Sequence, residues 1–197
     1  MSGVLISTVY EKSDSTVLSI KEFNPKRLIL LVDNKAKAAQ LNSIKFIKKA
    51  FNNTLKIVER NVDVYDIPAV SEGVMKLIDS IPAGTEIYVD ISQGRKPQAF
   101  GVLLACYARS DRIKKIVYWG GNNEAVFMPK LAFTINGNYK KLLNEVDRTA
   151  NITQLIKKLK ISRAQVYRYI KDLESEGLLA KENGKFALTD AGRIARV

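Results

Sequence analysis

Residues 149–190 read TANITQLIKKLKISRAQVYRYIKDLESEGLLAKENGKFALTD, and this stretch determines how the C-terminal part of the chain folds. Its apolar residues recur every three or four positions up to Leu159, and again from Val166 to Leu173, which is the spacing of two amphipathic helices. Gly177 is placed to end the second helix, and Asn183-Gly184 then favours a tight hairpin turn. The predicted order is helix, turn, helix and hairpin.

The capping residues support this order. Asn151 or Thr153 can cap the first of these helices. Ser162 is placed to cap the second, with Gln165 three residues later to complete a capping box. A further apolar stripe begins near Tyr139 and predicts a preceding helix. Three helices followed by a β-hairpin form a winged helix-turn-helix.

The third of these helices carries side chains suited to reading DNA. Arginine matches guanine O6 and N7, glutamine matches adenine N6 and N7, and Ser or Tyr reach phosphates or base edges. The predicted DNA-binding residues are Ser162, Arg163, Gln165, Tyr167, Arg168 and Lys171 on this helix, and Lys181 and Lys185 on the hairpin. We expect Lys157, Lys158 and Lys160 to contact the DNA backbone, and one of Tyr167 and Tyr169 to lie in the core. A winged helix used only for protein contacts or dimerisation is the alternative.

Positive charge is concentrated towards the C-terminus. The 197 residues carry 32 Lys and Arg against 20 Asp and Glu, a net charge of +12. Half of this excess, +6, falls within residues 138–197, which hold 13 basic and 7 acidic residues. Thermophile-like lysine enrichment would account for the total but not for the asymmetry. The distribution therefore indicates a phosphate-binding surface in the C-terminal part.

The composition also excludes several kinds of chemistry. The chain has no histidine, which excludes metal sites, catalytic triads and nucleases that depend on imidazole, and we predict neither a metal nor a cofactor. The single cysteine, Cys106, lies in an apolar run and is expected to be a buried structural thiol. The sequence shows no 18-residue apolar run and no signal peptide, so we expect a cytoplasmic protein without membrane association.

The first 120 residues alternate short β-rich runs with helical patterns. Near-continuous apolar runs such as Leu28–Val32 are typical of parallel strands buried on both faces. The predicted strands are 4–6, 28–32, 55–58, 86–91 and 113–119, and the predicted helices are 15–23, 35–51, 68–80 and 96–109. The alternation predicts an α/β fold with a Rossmann-like, mostly parallel sheet.

The alternation stops at Gly120–Asn123, and residues 125–135 are expected to return as an antiparallel edge strand. Residues 136–138 are the expected linker. We therefore predict a Rossmann-like domain over residues 1–136 and a winged helix-turn-helix domain over residues 137–197.

Two loops form the candidate ligand site, because ligands of open parallel sheets bind beyond the carboxyl ends of the strands. Residues 7–16 follow the first strand and are dense in hydroxyls, and residues 90–97, DISQGRKP, follow the fourth. Gly94 permits close backbone approach, and the helix amides with Arg95 and Lys96 would form an anion site. A solvated turn with incidental charge is the alternative. The sequence contains neither a Walker motif nor a dinucleotide-binding glycine pattern.

A Rossmann-like domain with Asp90–Lys96 after its fourth strand, followed by a winged helix, resembles the CRISPR-associated CARF–winged-helix regulators of archaea. The resemblance covers essentially the whole chain. It implies a homodimer that binds a cyclic oligoadenylate effector, commonly the tetramer, binds double-stranded DNA, and controls CRISPR-associated genes of antiviral defence. The ligand-binding residues are then Ser7, Thr8 and Val9 after the first strand and Asp90, Ser92, Gln93, Gly94, Arg95 and Lys96 after the fourth.

Two other functions stay open at this point. Some CARF domains resemble ring nucleases that cleave their own ligand, and Ser7 or Thr8 with Arg95 or Lys96 could support slow cleavage without metal or histidine. The other alternative is a repressor that senses a different phosphorylated metabolite at the same loop.

Overall fold

A computed structural model describes residues 3–128, 137–148, 151–182 and 184–196. The chain divides into two compact units, Met1–Ala132 and Phe133–Val197. The predicted domain boundary at residue 136 falls within residues 129–136, which lie outside the described residues.

The first unit is an α/β domain built on one six-stranded sheet. Its strands are β1 (Gly3–Thr8), β2 (Arg27–Asp33), β3 (Lys56–Val62), β4 (Glu86–Asp90), β5 (Ile113–Trp119) and β6 (Ala125–Phe127), and its helices are α1 (Asp14–Phe23), α2 (Ala38–Phe51), α3 (Ile67–Asp79) and α4 (Lys96–Ala108). The spatial order is β3-β2-β1-β4-β5-β6. The order of addition reverses between β1 and β4, so the switch point of the sheet lies between these strands.

The predicted strand directions are confirmed. The strands from β1 to β5 pair in parallel, and β6 pairs with β5 in the antiparallel direction. The Gly120–Asn123 turn closes this hairpin through a hydrogen bond from the Gly120 amide to the Glu124 carbonyl, 2.9 Å. The predicted continuation of the last strand to residue 135 lies outside the described residues.

Apolar runs explain which strands are central. The run Leu28–Val32 is fully buried, and β1 beside it is buried along its whole length. Leu28, Leu30 and Val32 pack against Ile44 and Ile47 of α2. Burying each of these side chains contributes about 1.5–3 kcal/mol. The strand β3 mixes charged and apolar residues and lies at the edge, as its weaker pattern predicts.

On the other face of the sheet, α3 and α4 pack against each other at very short range. A Cβ at Gly101 of α4 would lie 2.8 Å from Val70 Cβ and 2.9 Å from the Ile67 carbonyl oxygen of α3. Only glycine therefore permits this approach. The contact fixes α4, whose first residues belong to the candidate ligand loop.

The second unit is a winged helix-turn-helix. It consists of α5 (Gly137–Arg148), α6 (Ile152–Leu159), α7 (Arg163–Ser175), the hairpin strands β7 (Leu179–Glu182) and β8 (Lys185–Leu188), and α8 (Asp190–Ala195). The buried core consists of Leu142, Leu143, Val146, Leu155, Val166, Ile170, Leu173 and Leu179. Among the described ranges of both units, no helix is both long enough and apolar enough to cross a bilayer.

The predicted caps of the second unit are confirmed, while the start of α5 needs correction and one helix was missed. Asn151 accepts a hydrogen bond from the Thr153 amide, 2.9 Å, and Ser162 forms a capping box with Gln165. Residues 137 and 138 were assigned to the linker but begin α5, because the first turn of a helix tolerates residues that favour caps. The helix α8 was not predicted, although its N-cap Thr189 is visible in the sequence.

We predict that two glycine-to-alanine changes on neighbouring helices have opposite effects. Gly101→Ala is expected to lower the free energy of unfolding by about 1–3 kcal/mol, because its Cβ would overlap α3. Gly73→Ala on α3 meets open space and is expected to raise it by about 0.5–1 kcal/mol through helix propensity. Urea unfolding followed by the fluorescence of Trp119, the only tryptophan, measures both. Equal effects would contradict the close packing.

Candidate functional site

A buried carboxylate organises the loop after β4. Asp90 ends that strand, and its Oδ1 accepts hydrogen bonds from the Ser92 amide, 2.8 Å, and from Ser92 Oγ, 2.5 Å. Its Oδ2 accepts hydrogen bonds from Ser19 Oγ, 3.0 Å, and from Ser7 Oγ, 3.3 Å. Asp90 therefore joins the ligand loop to β1 and α1.

Trp119 closes this network from β5. Its indole Nε1–H donates to Ser19 Oγ at 2.7 Å, and its backbone amide donates to Ser92 Oγ at 2.8 Å. The two serines thus each bridge Asp90 and Trp119. No local pattern marks Ser19 or Trp119 as members of the site, since the contacts join residues 71 and 100 positions apart.

Burial and hydrogen bonding act on the Asp90 carboxyl in opposite directions. Burial raises its pKa, because the charged form loses its hydration. Hydrogen bonds from Ser92, Ser19 and Ser7 favour the charged form and oppose this change. Burial dominates, and the pKa lies above its ordinary value.

The side chains predicted after β1 face the interior. Ser7, Thr8 and Val9 are fully buried, as is Asp90. Ser7 Oγ also lies 2.9 Å from Thr16 Oγ1, and Thr8 Oγ1 donates to the Asp90 carbonyl at 3.3 Å. These hydrogen bonds hold the end of β1 against Asp90 and α1, and the prediction that residues 7–9 contact the ligand stays a prediction.

Gly94 occupies a position that only glycine can fill. Its φ of +95° lies in a region that other residues rarely adopt. A Cβ there would collide with Gln98 Oε1 and lie 3.2 Å from Thr8 Cβ. The backbone of the loop therefore rests directly on the end of β1, and the approach of a ligand to this backbone stays a prediction.

Gln98 was missed by the sequence reasoning. Its side chain is buried in the first turn of α4, and its Nε2 donates to the Leu31 carbonyl at 3.2 Å. Within the described part of the chain, its Oε1 has no hydrogen-bond partner. A buried acceptor beside Gly94 is thus available to a donor that enters the loop.

The two cations of the loop differ in their surroundings. Arg95 is half-buried, and its Cζ lies 4.5 Å from the centre of the Tyr10 ring. Lys96 is exposed and opens α4, which has no side-chain cap. The first amides of this helix and the Lys96 ammonium therefore offer positive charge to an anion. Ser92 and Gln93 are half-buried beside them.

In the second unit, α7 presents its predicted face. Ser162, Arg163, Tyr167, Arg168 and Lys171 are exposed. Tyr169 is the core tyrosine of the predicted pair, since it packs edge-on against Tyr139 with 4.9 Å between ring centres.

Two of the other predicted DNA contacts are already engaged within the chain. Gln165 is half-buried, and its Oε1 accepts a hydrogen bond from the Ser162 amide at 3.3 Å. Lys158 forms an ion pair with Glu145 at 2.7 Å. Lys157, Lys160, Lys181 and Lys185 are exposed. The turn residue Asn183 lies outside the described residues.

Both units match known families. The HFX_2341_N-like, N-terminal family matches residues 4–120, and a winged helix-turn-helix family matches residues 139–195. The first match spans more than half of the chain, so the protein belongs to the HFX_2341_N-like family. Its architecture is that of the CARF–winged-helix proteins which the sequence resembles. No curated protein matches the sequence.

Solved structures show the same fold at low sequence identity. Can2 from Sulfobacillus thermosulfidooxidans, in complex with cyclic tetra-adenylate, is 13% identical with a TM-score of 0.51, and the match covers 98% of this chain and 63% of Can2. VC1899 from Vibrio cholerae is 10% identical with a TM-score of 0.53, and the match covers 98% of this chain and 63% of VC1899. Enterococcus italicus Csm6, bound to cyclic hexa-2'-fluoro-hexa-dAMP, is 14% identical with a TM-score of 0.50, and the match covers 90% of this chain and 55% of Csm6. The chain thus spans less than two thirds of the length of these proteins.

We predict that Asp90→Ala lowers the free energy of unfolding by about 3 kcal/mol or more, because it leaves the buried hydroxyls of Ser7 and Ser19 and the half-buried hydroxyl of Ser92 without their acceptor. Asp90→Asn keeps an acceptor for Ser92 and is expected to lose less. Urea unfolding monitored through Trp119 measures both variants.

The difference in the free energy of unfolding between the wild type and Asp90→Asn should depend on pH. The pKa of Asp90 is raised in the folded protein, so the folded state holds the proton more tightly than the unfolded state does. The free energy of unfolding of the wild type relative to Asp90→Asn should therefore increase as the pH falls towards the ordinary carboxyl pKa of about 4. A difference that does not change as the pH is lowered would contradict the raised pKa of the buried carboxyl.

Proposed function

We propose that the protein is a ligand-responsive DNA-binding transcription regulator of CRISPR-associated genes whose effector is a cyclic oligoadenylate, with cyclic tetra-adenylate as the first candidate. The observation that carries the proposal is the Ser92–Lys96 loop at the start of α4, in one chain with a basic winged helix. Can2, which shares the fold, was solved with cyclic tetra-adenylate.

The loop supplies what an oligonucleotide phosphate requires. Lys96 provides an exposed ammonium, and Gly94 lets the backbone approach closely. The uncapped amides of α4 add the partial positive charge of a helix N-terminus. We assign direct contacts to these groups, and to the buried side chains of Ser7, Thr8, Asp90 and Gln98 the task of holding the loop.

The surface of α4 supports a homodimer. Its inner face buries Val102, Ala105 and Cys106. Its outer face carries Phe100, Leu103, Leu104 and Tyr107 at helical spacing, and none of these is fully buried. A helix that is apolar on all sides is ordinarily covered on all sides. We propose that a second copy covers this face.

DNA binding rests on the exposed face of α7. Arg163, Arg168 and Lys171 project from a helix whose N-terminus is fixed by the Ser162 capping box. Such a helix places its N-terminal half in the major groove. Lys181 and Lys185 of the hairpin would then reach flanking phosphates. A ligand changes this binding only if its affinity differs between two arrangements of the dimer.

The geometry favours no second function. The Ser7 and Thr8 hydroxyls are buried and already hydrogen-bonded, which gives the ring-nuclease alternative no support. We therefore do not propose cleavage, and intact cyclic tetra-adenylate after long incubation with the protein is the expected result.

We predict that the ligand response and DNA affinity can be separated by mutation. Lys96→Ala should abolish the effect of cyclic tetra-adenylate on DNA binding while leaving basal affinity unchanged. Arg168→Ala should weaken DNA binding about tenfold, as expected for the loss of one base or phosphate contact. Fluorescence anisotropy at one fixed salt concentration measures both, with DNA flanking the gene as the probe.

Lys45→Ala, which removes one exposed charge from α2, is the matched control and should behave as wild type. If the wild-type protein shows no binding of cyclic tetra-adenylate, the proposed effector is wrong. A Lys96→Ala variant that responds fully would instead move the site elsewhere.

We further predict that Phe100→Glu separates the dimer into monomers, because it places a charge in the proposed apolar interface. Phe46→Glu is the matched control, since Phe46 on α2 has the same exposed fraction, 56%. Sedimentation velocity should show dissociation of the first variant only. Parallel behaviour of the two variants would exclude α4 as the interface.

A further inference from the structure

Two tyrosines that the sequence analysis did not assign, Tyr10 and Tyr65, lie at the carboxyl edge of the sheet, the same edge as Arg95. Tyr10 belongs to the loop after β1, and Tyr65 to the loop after β3. Tyr65 is 65% exposed, the largest exposed fraction among the large apolar and aromatic side chains of the described residues. Tyr65 therefore presents an exposed aromatic surface at the edge of the sheet where ligands bind.

The Tyr10 ring stacks against the Arg95 guanidinium. The guanidinium Cζ lies 4.5 Å from the Tyr10 ring centre, within the range of a cation–π contact. Arg95 Nε is buried and makes no hydrogen bond within the described residues, so stacking on Tyr10 is what holds the group. A guanidinium with one flat face on a ring offers its other face to a second planar group.

Tyr65 stands on a loop whose backbone is fixed. Its amide donates to Asp63 Oδ1 at 3.2 Å, the neighbouring Val64 is buried, and Asp66 caps α3 through the Ala69 amide at 2.9 Å. The backbone is thus held on both sides of the Tyr65 ring, which is exposed.

The two tyrosines follow strands of the same parallel sheet. Tyr10 comes after β1 and Tyr65 after β3, with β2 paired to both strands, so the two loops share the carboxyl edge of the sheet. We call Tyr10, Arg95 and Tyr65 the stacking rim.

We infer that the stacking rim binds the nucleobases of the ligand, with Tyr65 and the outer face of Arg95 as stacking surfaces and Tyr10 as the positioning residue for Arg95. RNA bases stack on aromatic rings and on guanidinium planes in this way. This inference rests on the proposed function, in which Lys96 and the α4 amides bind phosphate. It divides recognition into a phosphate part and a base part.

The test uses cyclic tetra-adenylate with one adenine replaced by 2-aminopurine, whose fluorescence is quenched on stacking. Tyr65→Ala should weaken binding about tenfold, the loss expected for one stacked base, and reduce the quenching at saturation. Tyr65→Phe keeps the ring and should restore both. Phe46→Ala removes another exposed ring, 56% exposed against 65% for Tyr65, from α2 and is the control.

Tyr10 is tested by the same readout. Tyr10→Phe keeps the aromatic face beneath Arg95 and should bind and quench as wild type, whereas Tyr10→Leu removes that face and should lower both. Thermal unfolding checks that each variant is folded. A purely structural role for Tyr10 would change the melting temperature without changing the quenching at saturation.

The outcomes separate the two proposals. If wild-type protein does not bind the labelled ligand, the proposed function is wrong and the inference falls with it. If the ligand binds and depends on Lys96, but quenching is unchanged in Tyr65→Ala and Tyr10→Leu, the proposed function stands and the stacking rim is overturned.

Discussion

The buried carboxylate of Asp90 is the constraint on which the ligand loop depends. Its oxygens accept hydrogen bonds from Ser7, Ser19 and Ser92, so that it ties β1 and α1 to the first residues after β4. Trp119 donates to two of the same serines from β5. A charge in this position is unfavourable unless all its partners are present, since a buried polar group that loses its hydrogen bonds is costly. The loop therefore has one arrangement, and Gly94 follows it with a backbone conformation that only glycine adopts readily.

Features set by local rules were predictable from the sequence. The strands follow apolar runs, and the helices of the second unit follow their caps. Gly177, with φ of +70°, ends α7: its amide donates to the Glu174 carbonyl and the Leu178 amide donates to the Leu173 carbonyl, as is common where a glycine follows a helix. Each of these features involves residues within about six positions of each other, where spacing and residue type carry the physics.

Features set by contacts across the sheet were not predictable. Ser7 and Thr8 were predicted as ligand-binding residues, and their hydrogen bonds to Asp90 were not foreseen, because these bonds depend on β1 being a central strand beside β4. The roles of Trp119 and Gln98 depend on partners about 100 and 67 positions away. Tyr10 can position Arg95 only because the fold brings the guanidinium over its ring. A single sequence records the residue types at these positions but not which of them meet.

The helix α4 joins the proposed input to the proposed dimer surface. Its first residue, Lys96, belongs to the ligand loop, and Phe100 lies one turn further on its exposed face. Gly101 holds the same helix against α3 without space for a methyl group, so α4 has little freedom to bend locally. In the proposed regulator, ligand binding at the loop would therefore displace α4 as one rigid helix. Couplings between sites are typically about 1–3 kcal/mol, which is the scale of one or two hydrogen bonds. A small displacement of α4, amplified where two copies meet, is sufficient for a response of that size, and it requires no rearrangement of the sheet.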